Sequence, residues 1–151
     1  MYTTTQFSIF MVNKPGVLAT ALAEFAREKI NIIAMTMMDS AEQGVMRVVF
    51  DEPLRVQALL TRLNMASNTT DVLCLTLDNR SGALASVAEK LARNHINISY
   101  AYCTAGAKGG KTTGILKVAD VKKAMKILEK DHGIKVGKSQ PLVRRTKTSA
   151  F

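Results

Sequence analysis

The sequence predicts an α+β fold built from two consecutive βαββαβ repeats, each an antiparallel sheet with its helices on one face. Two observations carry this. Asn13-Lys14-Pro15-Gly16-Val17-Leu18, followed one helix later by Ile30-Asn31-Ile32, recurs as Asn79-Arg80-Ser81-Gly82-Ala83-Leu84 and Ile96-Asn97-Ile98 at an offset of 66 residues. A fixed period of this kind marks a repeated structural unit. Apolar residues also switch between period two and period 3.6 in the same order in each copy, which is the signature of alternating strands and amphipathic helices.

Taken in order, residues 1–6 are polar and expected to fray. Phe7, Ile9 and Met11 alternate with Ser8, Phe10 and Val12, a strand, and Pro15 and Gly16 break it. Leu18, Ala21, Leu22 and Phe25 form a helical stripe, with Glu24, Arg27, Glu28 and Lys29 on the wet side. Residues 31–38 and 45–50 are strands around a polar turn, the first rich in Met35, Met37 and Met38. Glu52 is the expected cap and Pro53 the first residue of a helix burying Val56, Leu59, Leu60 and Leu63. No Gly or Pro reverses the chain between Leu63 and Val72, so residues 68–77 are expected to form one long strand that ends the first half and opens the second.

The second half replays the pattern. Leu73, Leu75 and Leu77 mark a strand face, Leu84, Val87, Ala88 and Leu91 a helix stripe, and 97–104 and 113–118 two strands. Asp120 caps a helix with Val121, Ala124, Met125 and Leu128 inward, stopped by Gly133, and Ile134 to Val136 make a short last strand. The expected units are residues 1–70, residues 71–137 and a basic tail, 138–151. This is the ferredoxin-like order.

Composition bounds the function. Among 151 residues, 47% are apolar, there is no Trp, and no apolar run approaches a membrane span. With no secretory leader pattern the expected compartment is the cytoplasm. Net charge is +9, yet residues 1–104 carry nine basic and nine acidic side chains, so the excess lies in the last third. Cys74 and Cys103 have no paired spacing and read as buried free thiols. No nucleophile, general-base or metal-ligand constellation appears, so no enzyme, cofactor or metal is expected. His95 and His132 stand singly near helix ends. Ala105 to Thr112 resembles a relaxed phosphate loop, but a strand rather than a helix is expected after it, which disfavours nucleotide binding.

In each copy a Gly-containing turn opens a helix, where unpaired backbone N–H groups and the helix dipole favour a small anion such as a carboxylate. The whole pattern, Asn-x-Pro/Ser-Gly-x-Leu, a helix, then Ile-Asn-Ile on a strand, resembles the ACT domain. The likeness covers both halves, from Phe7 to Val136, and the chain resembles small stand-alone tandem-ACT proteins that regulate amino-acid metabolism.

That resemblance implies an amino-acid ligand held where two domains meet. It assigns the ligand contacts to Asn13, Asn31, Asn79 and Asn97, and to the backbone N–H groups of Gly16, Val17, Leu18, Gly82, Ala83 and Leu84. An amide can donate to a carboxylate and accept from an ammonium. Serine-sensing members resembling phosphoglycerate dehydrogenase carry a His two residues before the turn Asn. Met11 and Leu77 stand there, which favours an apolar ligand. Acetohydroxyacid synthase regulatory subunits, which respond to valine, have a turn similar to the second one. A homodimer, or two halves sharing one continuous sheet, is expected; an alternative reading is a protein-interaction subunit that docks an enzyme partner through its basic tail. Nucleic-acid binding is the weaker alternative: Tyr100 and Tyr102 share a strand face that could stack bases, but the Gly/aromatic signature of RNA-recognition modules is absent.

Overall fold

In the computed structural model, which describes residues 1–39, 43–104, 106, 110–130 and 137–143, both repeats contribute to one six-stranded sheet. The elements are β1 (Tyr2–Val12), α1 (Val17–Arg27), β2 (Ile32–Asp39), β3 (Gln43–Phe50), α2 (Pro53–Arg62), β4 (Ser67–Asp78), α3 (Ala83–Arg93), β5 (Ile98–Cys103), β6 (Lys111–Val118) and α4 (Val121–Glu129). Strand order is β2-β3-β1-β4-β6-β5, and every pairing is antiparallel. The expected long strand is β4. The expected strand at 134–136, the stop at Gly133, and His132 lie outside the described residues.

β1 and β4 are long because each serves two partners. β1 pairs with β4 over Tyr2–Ile9 and with β3 over Gln6–Val12. β4 pairs with β1 over Ser67–Cys74 and with β6 over Leu73–Asp78. Thr5 faces Asp71 in the central ladder, and these two are themselves repeat equivalents 66 residues apart, so a pseudo-twofold axis passes between them. The β5–β6 connection is longer than its counterpart. Phe7 faces Val48 in the first half and Leu73 faces Leu116 in the second, so beyond that loop the repeat offset becomes 68.

Alternation divides the apolar residues between two faces. On the helix side, Phe7, Ile9, Met46, Val48 and Phe50 pack with Phe25, Val56, Leu59 and Leu60 in the first half. Phe50 anchors this core, meeting Phe7 edge-on at 6.0 Å and Phe25 at 4.7 Å between ring centroids. In the second half Leu73, Leu75, Leu116 and Val118 pack with Val87, Leu91, Ala124 and Leu128. Asp120 caps α4 as expected, its Oδ1 accepting the Lys123 N–H at 2.9 Å. Glu52 occupies the cap position of α2 without a capping hydrogen bond, and its carboxylate pairs with Arg55 instead.

The helix-free face covers itself. The sheet curls until edge strand β2 approaches β5 and β6, and Ala34, Val49, Val72, Cys74 and Ile115 form a third core with Tyr2, Ile33 and Tyr102. Inside this curl Gln6, fully buried, donates from Nε2 to Tyr100 Oη at 2.9 Å and accepts from Tyr102 Oη at 3.0 Å. Arg47 lies 4.0 Å over the Tyr100 ring. Burial pushes the Tyr102 hydroxyl up from its ordinary range, so it remains a donor at neutral pH. Both tyrosine hydroxyls are thus held by Gln6, Arg47 covers a face of Tyr100, and Tyr102 packs on the inner core, which disfavours the base-stacking reading.

Two further expectations are corrected. Residues 1–6 do not fray: Met1 sits in the second-half core, and Thr4, Thr5 and Gln6 are buried. Cys103 is exposed, whereas Cys74 is buried. The start of the basic tail is packed along β1, where β3 has ended and a strand edge would lie open. Gly137 N–H donates to Met1 O, Gln140 N–H to Thr3 O, and Thr3 N–H to Ser139 Oγ. Gln140 also joins Thr4 to the Asp51 carbonyl. Val143 donates its N–H to Thr5 Oγ1 and enters the first-half core. An uncovered strand edge is a template for unwanted pairing, and this strap removes it.

Ending the chain at residue 136 removes those hydrogen bonds and the burial of Val143. The expected loss is about 3 kcal/mol or more of unfolding free energy, measured by urea titration, with faster amide exchange at Thr3 to Thr5. An unchanged midpoint would show the strap to be dispensable.

Candidate functional site

Both motif turns fold alike. Gly16 and Gly82 adopt φ of +87° and +84° and open α1 and α3 without a side-chain cap. An L-residue is strained there, which is why Gly recurs at this point in both copies. Val17 N–H and Ala83 N–H close the turns by donating back to Lys14 O and Arg80 O, each at 3.3 Å. The next N–H groups, on Leu18 and Leu84, belong to the first helical turn, which has no carbonyl of its own helix to bond.

The four asparagines do not converge within one half. Asn13 and Asn31 lie at opposite ends of α1, eleven residues long, or about 16 Å of helix. Asn79 and Asn97 are separated in the same way by α3. The Asn31 backbone fixes the start of β2: its N–H donates to Asp51 Oδ1 at 3.1 Å, and its carbonyl accepts the Asp51 N–H at 3.2 Å. Asn13 and Asn97 are exposed. Asn79 is half-buried and ties the β5–β6 loop to the start of α3. Its Nδ2 donates to Gly106 O at 2.7 Å and its backbone N–H to Gly110 O at 2.9 Å. β6, not a helix, follows that loop, so the phosphate-loop reading lacks its required context.

Around Asn79 the second turn opens a cavity of about 330 Å³. Asn79, Ala83 and Leu84, three of the sequence-derived residues, line it together with Leu77, Cys103 and Thr112. Its polar groups are largely spoken for. Thr104 Oγ1 accepts the Thr113 N–H at 3.0 Å, and Thr112 Oγ1 donates to the Thr104 carbonyl. Lys111 donates to Asp78 at the rim, and this hydrogen bond holds the Asp78 carboxyl below its ordinary range, so the pair stays ionised and mutually neutralised. Arg80 stands exposed beside them. The interior offered to a ligand is therefore mainly apolar, from Leu77, Ala83 and Leu84.

The first half differs at the same place for a steric reason. Met37 and Met38 stand where the second half has Cys103 and Thr104. The Met37 methyl lies against Gly44, 3.4 Å from where a Cβ would stand, with Met11 Cγ close by at 3.7 Å. In the second half the position equivalent to Gly44 is Thr112, which lines the cavity, and the shorter Cys103 reaches only its own cross-strand partner, its Sγ lying 3.5 Å from where a Gly114 Cβ would stand. The shorter side chain leaves the cavity open. Partial desolvation pushes the Cys103 thiol up, which keeps it protonated at neutral pH and a poor nucleophile. Val17 instead lines a groove of about 350 Å³ with Thr20, Ala21, Glu24, Leu63 and Met65.

Leu77, two residues before the turn Asn, was read as favouring an apolar ligand and does line the cavity, whereas the motif carried no signal for Cys103 and Thr112, which also reach it from strand ends. Strand alternation could have found them, since Leu77 faces Thr112 and Cys103 faces Gly114 across neighbouring ladders. Among the described residues no His, Cys, Asp and Glu cluster could hold a metal ion, and no helix is long and apolar enough to cross a membrane.

Comparison with known proteins agrees with this architecture. The crystal structure of protein BT0572 from Bacteroides thetaiotaomicron is 28% identical, with a TM-score of 0.78 over 85% of this chain and 88% of that one. The ligand-free regulatory subunit of aspartate kinase from Thermus thermophilus shares the fold at 11% identity, with a TM-score of 0.59 over 83% of this chain and 91% of that one. Aspartokinase alpha and beta subunits superpose at 18% identity, with a TM-score of 0.52 over 86% and 96% of the two chains. No curated protein matches the chain. The family model for the ACT domain pair matches residues 2–134, so the chain belongs to the ACT domain pair family.

Proposed function

We propose that this chain is a regulatory module that binds a small apolar amino acid in the cavity beside the second turn. It would act in sensing or feedback control of amino-acid metabolism, in the cytoplasm, as a homodimer or beside an enzyme partner. The observation that carries the reading is the apolar cavity at the N-terminus of α3. Leu84 N–H, in the first helical turn, faces a carboxylate favourably, and Arg80 at the rim adds positive charge. Leu77, Ala83 and Leu84 would receive the aliphatic side chain. In this reading Asn79 shapes the site by holding the β5–β6 loop against the helix start, and the first half serves as a scaffold.

A thermal-shift screen of all twenty amino acids at millimolar concentration tests the ligand class. The expected responders are valine, leucine and isoleucine, raising Tm by about 5–10 °C when the ligand reaches one hundred times its Kd. No response to any of the twenty, confirmed by calorimetry, would sink the amino-acid reading.

Two substitutions locate the site. Cys103→Met installs the first-half residue, fills the cavity, and is expected to abolish the ligand response while leaving the ligand-free Tm within a few degrees. Asn79→Ala frees the loop and should weaken binding by about tenfold or more, roughly 1–3 kcal/mol, whereas Asn13→Ala stays within twofold of the parent. Equal loss from both Asn variants would place the ligand at both turns instead.

A backbone prediction accompanies these. Gly82→Ala meets no atom within 4 Å of the added Cβ, so its whole cost is conformational. The expected destabilisation is about 1–2 kcal/mol by urea titration.

A further inference from the structure

The repeat contains its own electrostatic control. In the first half Arg55 and Arg62 of α2 converge on Glu28, just past the end of α1. Arg55 Nη2 donates to the Glu28 carbonyl at 2.7 Å, and Arg62 pairs with the Glu28 carboxylate. Arg27 and Arg55 are paired as well, with Glu24 and Glu52, each at 2.8 Å. The first-half helices are thus internally neutralised.

The second half keeps the cations and drops the carboxylate. Lys123 and Lys130 stand 68 residues after Arg55 and Arg62, and Asn94 stands 66 after Glu28. Asn94 is neutral, and its Nδ2 turns back to donate to the Lys90 carbonyl at 2.8 Å. Lys123, Lys126, Ile127 and Lys130 follow at i, i+3, i+4 and i+7, so they form one stripe of α4. They line a groove of about 470 Å³ with Asn94 and Glu129. The three lysines are exposed, and among the described residues none has a carboxylate within ion-pair distance. Carbonyls at the C-terminus of α3 supply only partial negative charge.

We infer that the α3–α4 groove is a docking site for an acidic segment of a partner protein, whose Asp or Glu side chain takes the place that Glu28 holds in the first half. Ile127, half-buried between the lysines, offers an apolar contact for the aliphatic part of that segment. A peptide carboxylate fits better than a bare phosphate, because in the first half the position of Lys130 pairs with a carboxylate and that of Lys123 with a backbone carbonyl, and a peptide offers both. The groove lies beside the C-terminus of α3, while the amino-acid cavity lies at its N-terminus, so the two sites are separable.

The test is fluorescence anisotropy of a labelled hexaglutamate peptide with the full chain at low and moderate salt. Saturable binding is expected, weakened by salt because the contacts are exposed. The double variant K123E/K130E should weaken it about tenfold or more. Asn94→Glu, which removes no lysine and restores the first-half carboxylate, should weaken it at least several-fold. Lys122→Glu, with a single charge reversal outside the groove, should change it less than twofold. Every site is exposed, and an unshifted melting curve checks that each variant folds. The inference is overturned if no saturable binding occurs at millimolar peptide, or if Lys122→Glu weakens binding as much as Asn94→Glu. It is also overturned if a single-stranded oligonucleotide of equal charge binds more tightly and loses affinity in the same variants.

Discussion

The antiparallel ladder between β1 and β4 is the constraint on which the rest depends. Because Thr5 and Asp71 face each other across it, the two repeats are related by a pseudo-twofold axis inside one sheet. Each of these strands must be long enough to serve its own half and reach into the other. Met1 therefore packs in the second-half core although it begins the first repeat. Two half-sized units, each too small to bury much surface alone, share one continuous sheet and curl it around a common inner core.

The ladder also creates a difficulty that other parts of the chain resolve. β1 outruns β3, leaving backbone groups of residues 1–5 without a strand partner on that side. The strap at 137–143 takes that edge, and Thr5 and Gln140 supply the side-chain contacts that fix its path. On the inner face a buried glutamine is costly unless both ends of its amide are satisfied. Tyr100 and Tyr102 meet that need, and in doing so they tie β5 to β1 across two intervening strands.

Element order, the shared strand β4, the helix stripes and the Asp120 cap were legible because each rests on local periodicity or cap chemistry. The repeat also made the two Gly turns legible, and the positive φ at Gly16 and Gly82 explains the residue choice. What could not be read was long-range. Nothing local in Met1 to Gln6 announces that a distant strap and two tyrosines will bury them. The motif named Asn13 and Asn31 together as ligand contacts, and only the fold shows that α1 stands between them. Asn79 matched the motif but is occupied by a loop whose packing only the fold defines.

Comparing equivalent positions turns the two halves into a matched experiment. Where the backbone requires a residue, the copies agree: Gly16 and Gly82 keep the same left-handed turn. Where only side-chain volume or charge matters, they have diverged. Met37 becomes Cys103, a shorter side chain beside the open cavity. Glu28 becomes Asn94, exchanging a closed ion pair for uncompensated lysines. Neither change improves a fold the first half already builds without it. An open apolar cavity forgoes packing contacts, and clustered like charges repel. Both changes fall in the second half, at opposite ends of the same helix α3. A module whose first-half helices are neutralised, and whose second half carries a cavity at one end of α3 and a cationic stripe at the other, is built asymmetrically. That asymmetry lets one end of α3 receive a small ligand while the other contacts an acidic partner, with eleven residues of rigid helix between them.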